Sequence, residues 1–547
     1  MAGVPGTRRH SPYDAAVSPD LLQDLHRARL LAFAADEGGA RDLLLALLPR
    51  IEASGRDDLV AEAFAQLGWI YLIRGVNNAV AECIQRMDPD DRRARLLRIG
   101  LFAAEGEHDG AAAELALLAT GQDQLLTHAR VRCAGALGED DLHTRAAPLW
   151  EKVIAAIGMP AADSDEAGDY LLVVAGTGYG RFCVETGRLA QAQPWLRRAG
   201  ARAEARGWEL ATARTQLERA SASWSAGDQL TTEQLVAQAY PVIARYARAD
   251  DVSRCWLFFG LTRMGAGALE AADQCWEHAE RHWREIGKPL FVHRILLQRS
   301  WIPIFLGRFS EAVELVARAR DALDSWQRAS WLQYARLDDH LGTVWRADAL
   351  ADLGFDGAGD PSENWQEAEA RQASALGVTY AQTGSAAYRS ALAKLALAAE
   401  LKVPAALAVD SMRYSIADAE ARQRWASRVA APILAGAFAV AWEADNTELV
   451  SELVEYHSAR GTFSTAPHSG QPGDWTVTAT VSESAEVAVL AAGPSTPAGA
   501  SLTRLGPLPP LQMQPDSGPI LGRYRALAQQ RYHRDVTAAE PAWSTWP

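Results

Sequence analysis

The chain has 547 residues, 48% apolar and 22% charged, with 42 glycines and 25 prolines, a composition that excludes a collagen-like or broadly disordered protein. Its 54 basic and 68 acidic residues give a net charge of −14, which argues against a general nucleic-acid binder or an anionic-membrane binder, since both depend on basic side chains. Five cysteines, Cys83, Cys133, Cys183, Cys255 and Cys275, lie far apart with no Cys-x-x-Cys pair, the pattern of reduced thiols and a cytoplasmic location.

From Met1 to Asp20, Arg8, Arg9 and His10 are followed by no apolar core, so no secretory signal is expected. Ser18-Pro19-Asp20 opens the first predicted helix, with Ser18 as N-cap and Pro19 at the first helical position. Most of residues 18–460 is rich in Ala and Leu, with apolar residues at helical spacing and glycines as punctuation. Gly187, Gly227, Gly267 and Gly307 recur every 40 residues, with looser copies at Gly75, Gly106, Gly138 and Gly354. Small residues precede the glycines by seven positions, at Gly68, Gly180, Ala220, Gly260 and Ser300. Others follow by five, at Ala192, Ala272 and Ala312 (with Val80 and Ala111 in the earlier copies), and by twelve, at Ala199, Ala279 and Ala319. Small side chains let two helices approach closely, and glycine ends a helix in the left-handed conformation.

These residues resemble the tetratricopeptide repeat, a stack of antiparallel helix pairs, over roughly 60–380. The resemblance implies an all-α solenoid. The family period is about 34, so a spacing of 40 implies longer helices or loops. Thr232 departs from the expected Ala after Gly227, and Asp356–Pro361 reads as an inserted loop. The expected organisation is a tetratricopeptide-like region over 18–379, a helical capping segment over 380–464, a linker over 465–474 and a small appendage over 475–547. The longest nearly apolar run, Val429–Trp442, contains Pro432 and is 14 residues long, too short for a membrane span of about 20. In the appendage, Trp475–Val481 alternates in the manner of a strand and Glu486–Ala491 is its candidate hairpin partner. Pro507, Pro509 and Pro510 imply an extended strip, followed by a helix from about Ile520 to His533.

In the C-terminal third, Arg422–Trp425, Ala441–Glu443, Leu453–Gly461, Leu505–Leu511 and Arg531-Tyr532 resemble the helical portion of actinobacterial CHAT proteins. Those are caspase-like peptidases fused behind helical repeats in bacterial conflict systems. The chain stops at Pro547, about where the peptidase would begin. The late histidines His457, His468 and His533 have no cysteine after Cys275 to join them. The resemblance therefore implies a sensor or regulator of a separately encoded caspase-like peptidase.

Catalytic motifs are sparse. There is no P-loop and no Gly-x-Ser-x-Gly elbow. Gly176-Thr-Gly-Tyr-Gly180 reads as helix packing, not a dinucleotide fingerprint. His278 and His282 share a helix face, but the central Glu280 and the lack of a third ligand favour an exposed surface over a metal site. The cysteines read as buried small hydrophobes. Trp256 and Trp276 read as core, whereas the repeat frame points Trp224 and Trp301 toward the groove.

The sharpest pattern lies 13 residues before Gly227, Gly267 and Gly307, at Arg214, Arg254 and Arg294, followed three positions on by Leu217, Leu257 and Leu297. In tetratricopeptide repeats these positions face the inner groove. Such a row suits the carboxylates or carbonyls of a peptide, because the guanidinium fork binds them bidentately. The alternative is that each Arg pairs with an acid of its own solenoid, such as Glu218. The expected function is a non-catalytic protein- or peptide-binding scaffold or sensor with no cofactor, no metal, no nucleic acid and no membrane. A signalling module unrelated to peptidases and a cryptic enzyme remain as alternatives.

Overall fold

The computed structural model describes residues 19–118, 123–158, 165–354, 383–415, 422–423, 425–459, 509–513 and 517–544. Ser18, the loop Asp356–Pro361, the linker and the paired strands expected over 475–491 lie outside these residues. The chain divides into two compact units, Met1–Arg248 and Ala249–Pro547.

The first unit holds α1 Pro19–Phe33, α2 Glu37–Ala53, α3 Asp57–Ile73, α4 Asn77–Gln85, α5 Arg92–Glu105 and α6 His108–Leu118. It continues with α7 Gln124–Glu139, α8 His143–Ile157, α9 Glu166–Glu185, α10 Leu189–Ala205, α11 Glu209–Ser225 and α12 Gln229–Arg245. The second unit begins with α13 Ala249–Gly265, α14 Leu269–Glu285, α15 Pro289–Phe305, α16 Phe309–Asp324 and α17 Trp331–Asp352. Then come α18 Ala386–Ser411, α19 Ala431–Glu443, α20 Thr447–Ala459 and α21 Gly522–Tyr532. Two residues of β1, Leu511–Gln512, pair in parallel with β2, Trp543–Ser544. The protein is an all-α, tetratricopeptide-like solenoid of antiparallel helix pairs.

Local chemistry sets the helix ends. Asp36, Asp91, Asp123, Asp165 and Asp228 each accept a backbone N–H at a helix start, and Ser330 with Gln333 forms a capping box at α17. The left-handed residues come every 20 positions. They are Gly187, Gly207, Gly227, Ala247, Gly267, Gly287 and Gly307, with φ between 50° and 83°. The 40-residue repeat is therefore two helices of 17 residues, each followed by a three-residue turn. The extra length relative to the tetratricopeptide period resides in the helices. The expected turn at Gly138 is displaced. Gly138 lies inside α7, and Asp141 takes the left-handed position, at φ 61°.

The packing positions carry the core. Ala192, Ala199, Ala220, Ala272, Ala279, Ala312, Ala319 and Ser300 are fully enclosed. A Cβ on Gly180 would lie 2.3 Å from Leu196 Cδ2, and one on Gly260 would lie 2.1 Å from the Trp276 indole nitrogen, so only hydrogen fits. Gly176 and Gly178 likewise abut Ala199 and Trp150. The glycine-rich segment is thus a helix-packing stripe. Thr232, which replaces the expected Ala, is fully enclosed and donates its hydroxyl to Asp228 O at 2.7 Å, which satisfies the buried polar atom.

In the second unit, α17 to α20 share a core with the C-terminal segment, which contributes Leu511, Ile520, Leu521, Ala528, Tyr532 and Val536. Tyr532 donates its hydroxyl to Asp338 at 2.7 Å, and Arg531 donates to Glu400 O at 2.6 Å. The apolar run near 429–442 forms the end of a π-helical turn, Ala426–Ala430, and then α19. Among the described residues no helix is long and apolar enough to cross a membrane.

Candidate functional site

In the first unit, α3, α5, α7, α9 and α11 pack against one another in succession and form an inner layer. Three features line it. The first is a clasp to the opening hairpin. Phe33, at the end of α1, stacks on Tyr170 of α9 at 4.2 Å, and Trp208 closes on both rings edgewise. Beside it, Glu37 is 4% exposed and accepts from Arg74 at 2.8 Å and from Arg248. Burial lowers the Arg248 pKa, Glu37 opposes that shift, and Arg214 and Arg74 reinforce it.

The second feature joins α3 to α7. His128 and Arg132 stand one helical turn apart and both reach Trp69. The His128 ring meets it edgewise at 4.3 Å, and the Arg132 guanidinium lies 4.2 Å from the ring centroid. The third is acidic. Arg181 donates to Glu185 at 2.9 Å. Burial opposes charge on Arg181, but Glu185, Glu218 and Glu139 outweigh it and raise its pKa.

The residues singled out from the sequence divide between the units. Arg214, Leu217 and Trp224 belong to the first; Arg254, Leu257, Arg294, Leu297 and Trp301 belong to the second. The three arginines occupy the sixth position of α11, α13 and α15. Their surroundings differ. Arg214 and Arg294 are half-buried, whereas Arg254 is 8% exposed. Leu217 is fully enclosed, while Leu257 and Leu297 stay half-buried. Arg294 lies over the Phe291 ring at 5.4 Å. Trp301 is half-buried between Phe305 and His340, and Trp224 is also half-buried.

The remaining chemical candidates are structural in their surroundings. Ser300 Oγ lies 2.6 Å from His340 Nε2, which resembles a nucleophile with its base. Ser300 is fully enclosed, however, and donates to Leu297 O at 2.7 Å, so the hydroxyl is committed to the helix. His278 is exposed and stacks on Trp256 at 4.9 Å. Among the described residues no group of three or more His, Cys, Asp or Glu is placed to hold a metal ion. All five cysteines are buried without disulfides, and burial raises the thiols of Cys133 and Cys255 to about 12.

Trp69, His128, Arg132, Arg248 and Glu37 carried no sequence signal of function. They sit in the irregular early repeats or between helices, outside the frame that exposed the Arg row. Only the spacing of His128 and Arg132, four residues apart, hinted at a shared face.

No family model matches the chain, and no curated protein matches it. Among solved structures, it is similar to the apo form of the quorum sensor NprR from B. thuringiensis, with 12% identity, a TM-score of 0.40, and coverage of 55% of this chain and 87% of that one. It is similar to a Rap protein complexed with Competence and Sporulation Factor, with 11% identity, a TM-score of 0.41, and coverage of 80% and 100%. A third likeness is to a signal-transduction ATPase with a tetratricopeptide-repeat sensor from Pyrococcus horikoshii, with 12% identity, a TM-score of 0.37, and coverage of 76% and 55%.

Proposed function

We propose that the chain is a non-catalytic helical-repeat scaffold or sensor that binds a protein or peptide along the first helices of its pairs. One observation carries this reading. In the first unit Arg214 and Trp224, and separately in the second Arg294 and Trp301, are held half-buried on those helices, while the small residues at the packing positions are fully enclosed. Large aromatic and cationic side chains kept partly open at repeated positions are what a binding wall needs. Leu217 in the first unit and Arg254 in the second are enclosed and serve as support, not contact. The five buried, unlinked thiols support a cytoplasmic setting.

The partner is a separately encoded caspase-like peptidase of a bacterial conflict system. This rests on the sequence resemblance of Arg422–Trp425, Leu453–Gly461 and Leu505–Leu511. The test is capture of partners by the full chain from its native cell, followed by mass spectrometry. The wild-type chain should retain a protein or peptide that Arg294→Ala and Trp301→Ala lose, by about tenfold for the charged contact. Capture indifferent to both substitutions, or recovery only of small molecules that are turned over, would sink the reading. A captured protein that is not a peptidase would remove the finer identification alone.

A further inference from the structure

The cluster of Trp69, His128 and Arg132 has an imbalance of charge that the fold alone does not need. Arg132 lies with its guanidinium face on the Trp69 ring, which leaves the hydrogen-bonding edge directed away from the indole. Among the described residues its Nε is enclosed without a hydrogen-bond partner. Nε2 of His128, whose ring meets the same indole edgewise, is also enclosed without a partner. Burial is the main cause of a lowered Arg132 pKa. Tyr170 and Glu139 act to hold the charge, and Arg214 acts against it. Burial likewise pushes the His128 pKa down to about 3, so its imidazole is neutral and can donate from one ring nitrogen.

The like charges do not stop there. Arg214 also acts on Arg248, which shares the single carboxylate of Glu37 with Arg74. A withdrawn guanidinium nitrogen without a hydrogen-bond partner is costly, and this chain carries 68 acidic residues from which one could have been supplied. The arrangement fits a group that arrives from outside. A guanidinium edge accepts two oxygens in one plane, a neutral imidazole donates a further hydrogen bond, and the indole offers an apolar wall beside them.

We infer that Trp69, His128 and Arg132 form an oxyanion-binding centre on the inner layer of the first unit, taking a carboxylate or phosphate carried by a peptide partner. The inference rests on the binding function proposed above and names the chemistry that the partner must present.

The experiment uses the full chain and labelled degenerate hexapeptide pools with Glu, phosphoserine or Gln fixed at the third position. Fluorescence anisotropy should show saturable binding of the Glu pool, the phosphoserine pool or both, with the preferred pool identifying the oxyanion, and weaker binding of the Gln pool. Arg132→Met should weaken oxyanion binding by about tenfold or more without lowering the melting temperature, because it removes a costly buried charge and keeps the contact with Trp69. Arg132→Lys keeps the charge without the fork and should fall between, and Arg197→Met, on an exposed face, should bind as wild type. Wild-type-like binding by Arg132→Met overturns the inference, as does equal binding of the Gln pool or no saturable binding of any pool. A lower melting temperature with an unchanged dissociation constant would assign Arg132 to structure and also overturn it. In those cases partner capture that depends on Arg294 and Trp301 would leave the scaffold reading standing. Conversely, Arg132-dependent pool binding without any partner that depends on Arg294 and Trp301 would sustain the centre and remove those two residues from the binding surface.

Discussion

Ala247 adopts φ 50° at a position where its six counterparts along the array are glycine. Its methyl group makes that turn the most strained of the set, since left-handed backbone costs a non-glycine residue roughly 1–2 kcal/mol. A second residue-scale effect concerns histidine. Burial, helped by Lys402 and His293, pushes the His340 pKa from 6.5 down to about 3, and His128 behaves alike. Both are neutral in the folded chain but take up a proton near pH 6.5 when unfolded. Between those values the unfolded chain binds more protons, so stability is full above pH 6.5 and falls as the pH drops toward 3. The denaturant midpoint should be lower at pH 5 than at pH 7, and His340→Gln should narrow that gap. Identical midpoints for the wild-type chain at the two pH values would contradict the buried, neutral assignment. At this scale the sequence was only partly legible. The Arg row could be read from spacing, yet the enclosure of Arg254 and the partial openness of Arg294 depend on neighbours that spacing does not reveal.

The unit of construction is a 17-residue helix with a three-residue turn, and its signal is unusually plain. Glycine marks the turn because the backbone is left-handed there, and small residues mark the helix crossings because the helices approach closely. The half-period glycines, Gly207 and Gly287, are left-handed like those of the 40-residue array and give the helix length directly. Gly260 is the sharpest crossing. The Trp276 indole lies against it and donates to Leu257 O at 3.1 Å. Gly260→Ala should displace that ring and break the hydrogen bond, lowering stability by roughly 1–3 kcal/mol. Equilibrium denaturation by urea would measure it, and a change under about 0.5 kcal/mol would mean that the helices separate more easily than this packing implies. Irregular early repeats read less well. In α7 the last glycine is absorbed into the helix and Asp141 turns the chain instead, a substitution that no glycine count could anticipate.

At the scale of the whole molecule, each unit closes its own core by contacts distant in sequence. In the first, Glu37 and Arg248 meet across 211 residues. In the second, Tyr532 reaches Asp338 across 194, and buried pairs such as Arg346–Glu443 tie α17 to α19. The segment 509–544 belongs to the second unit's core. Leu511, Ile520, Leu521, Tyr532 and Val536 are each at most 5% exposed. Burial of one such side chain contributes roughly 1.5–3 kcal/mol, so a chain ending at residue 508 should lose most of the stability of α17–α20. It should bind a hydrophobic dye and melt at a lower temperature than the full chain. An unchanged melting temperature would show that this segment is dispensable.

The sequence by itself determined the solenoid. Period, turn glycines and small crossing residues are local requirements, imposed by backbone dihedrals and by the distance between two helices, and they are written at fixed spacing. The C-terminal helix was legible for the same reason. Only the tertiary structure decided which side chains share a face of the assembled stack. Trp69 meets Arg132, Glu37 meets Arg248 and the tail meets α17, pairs separated by 63 residues or more in the chain that come together only when the helices pack, so no short motif encodes them.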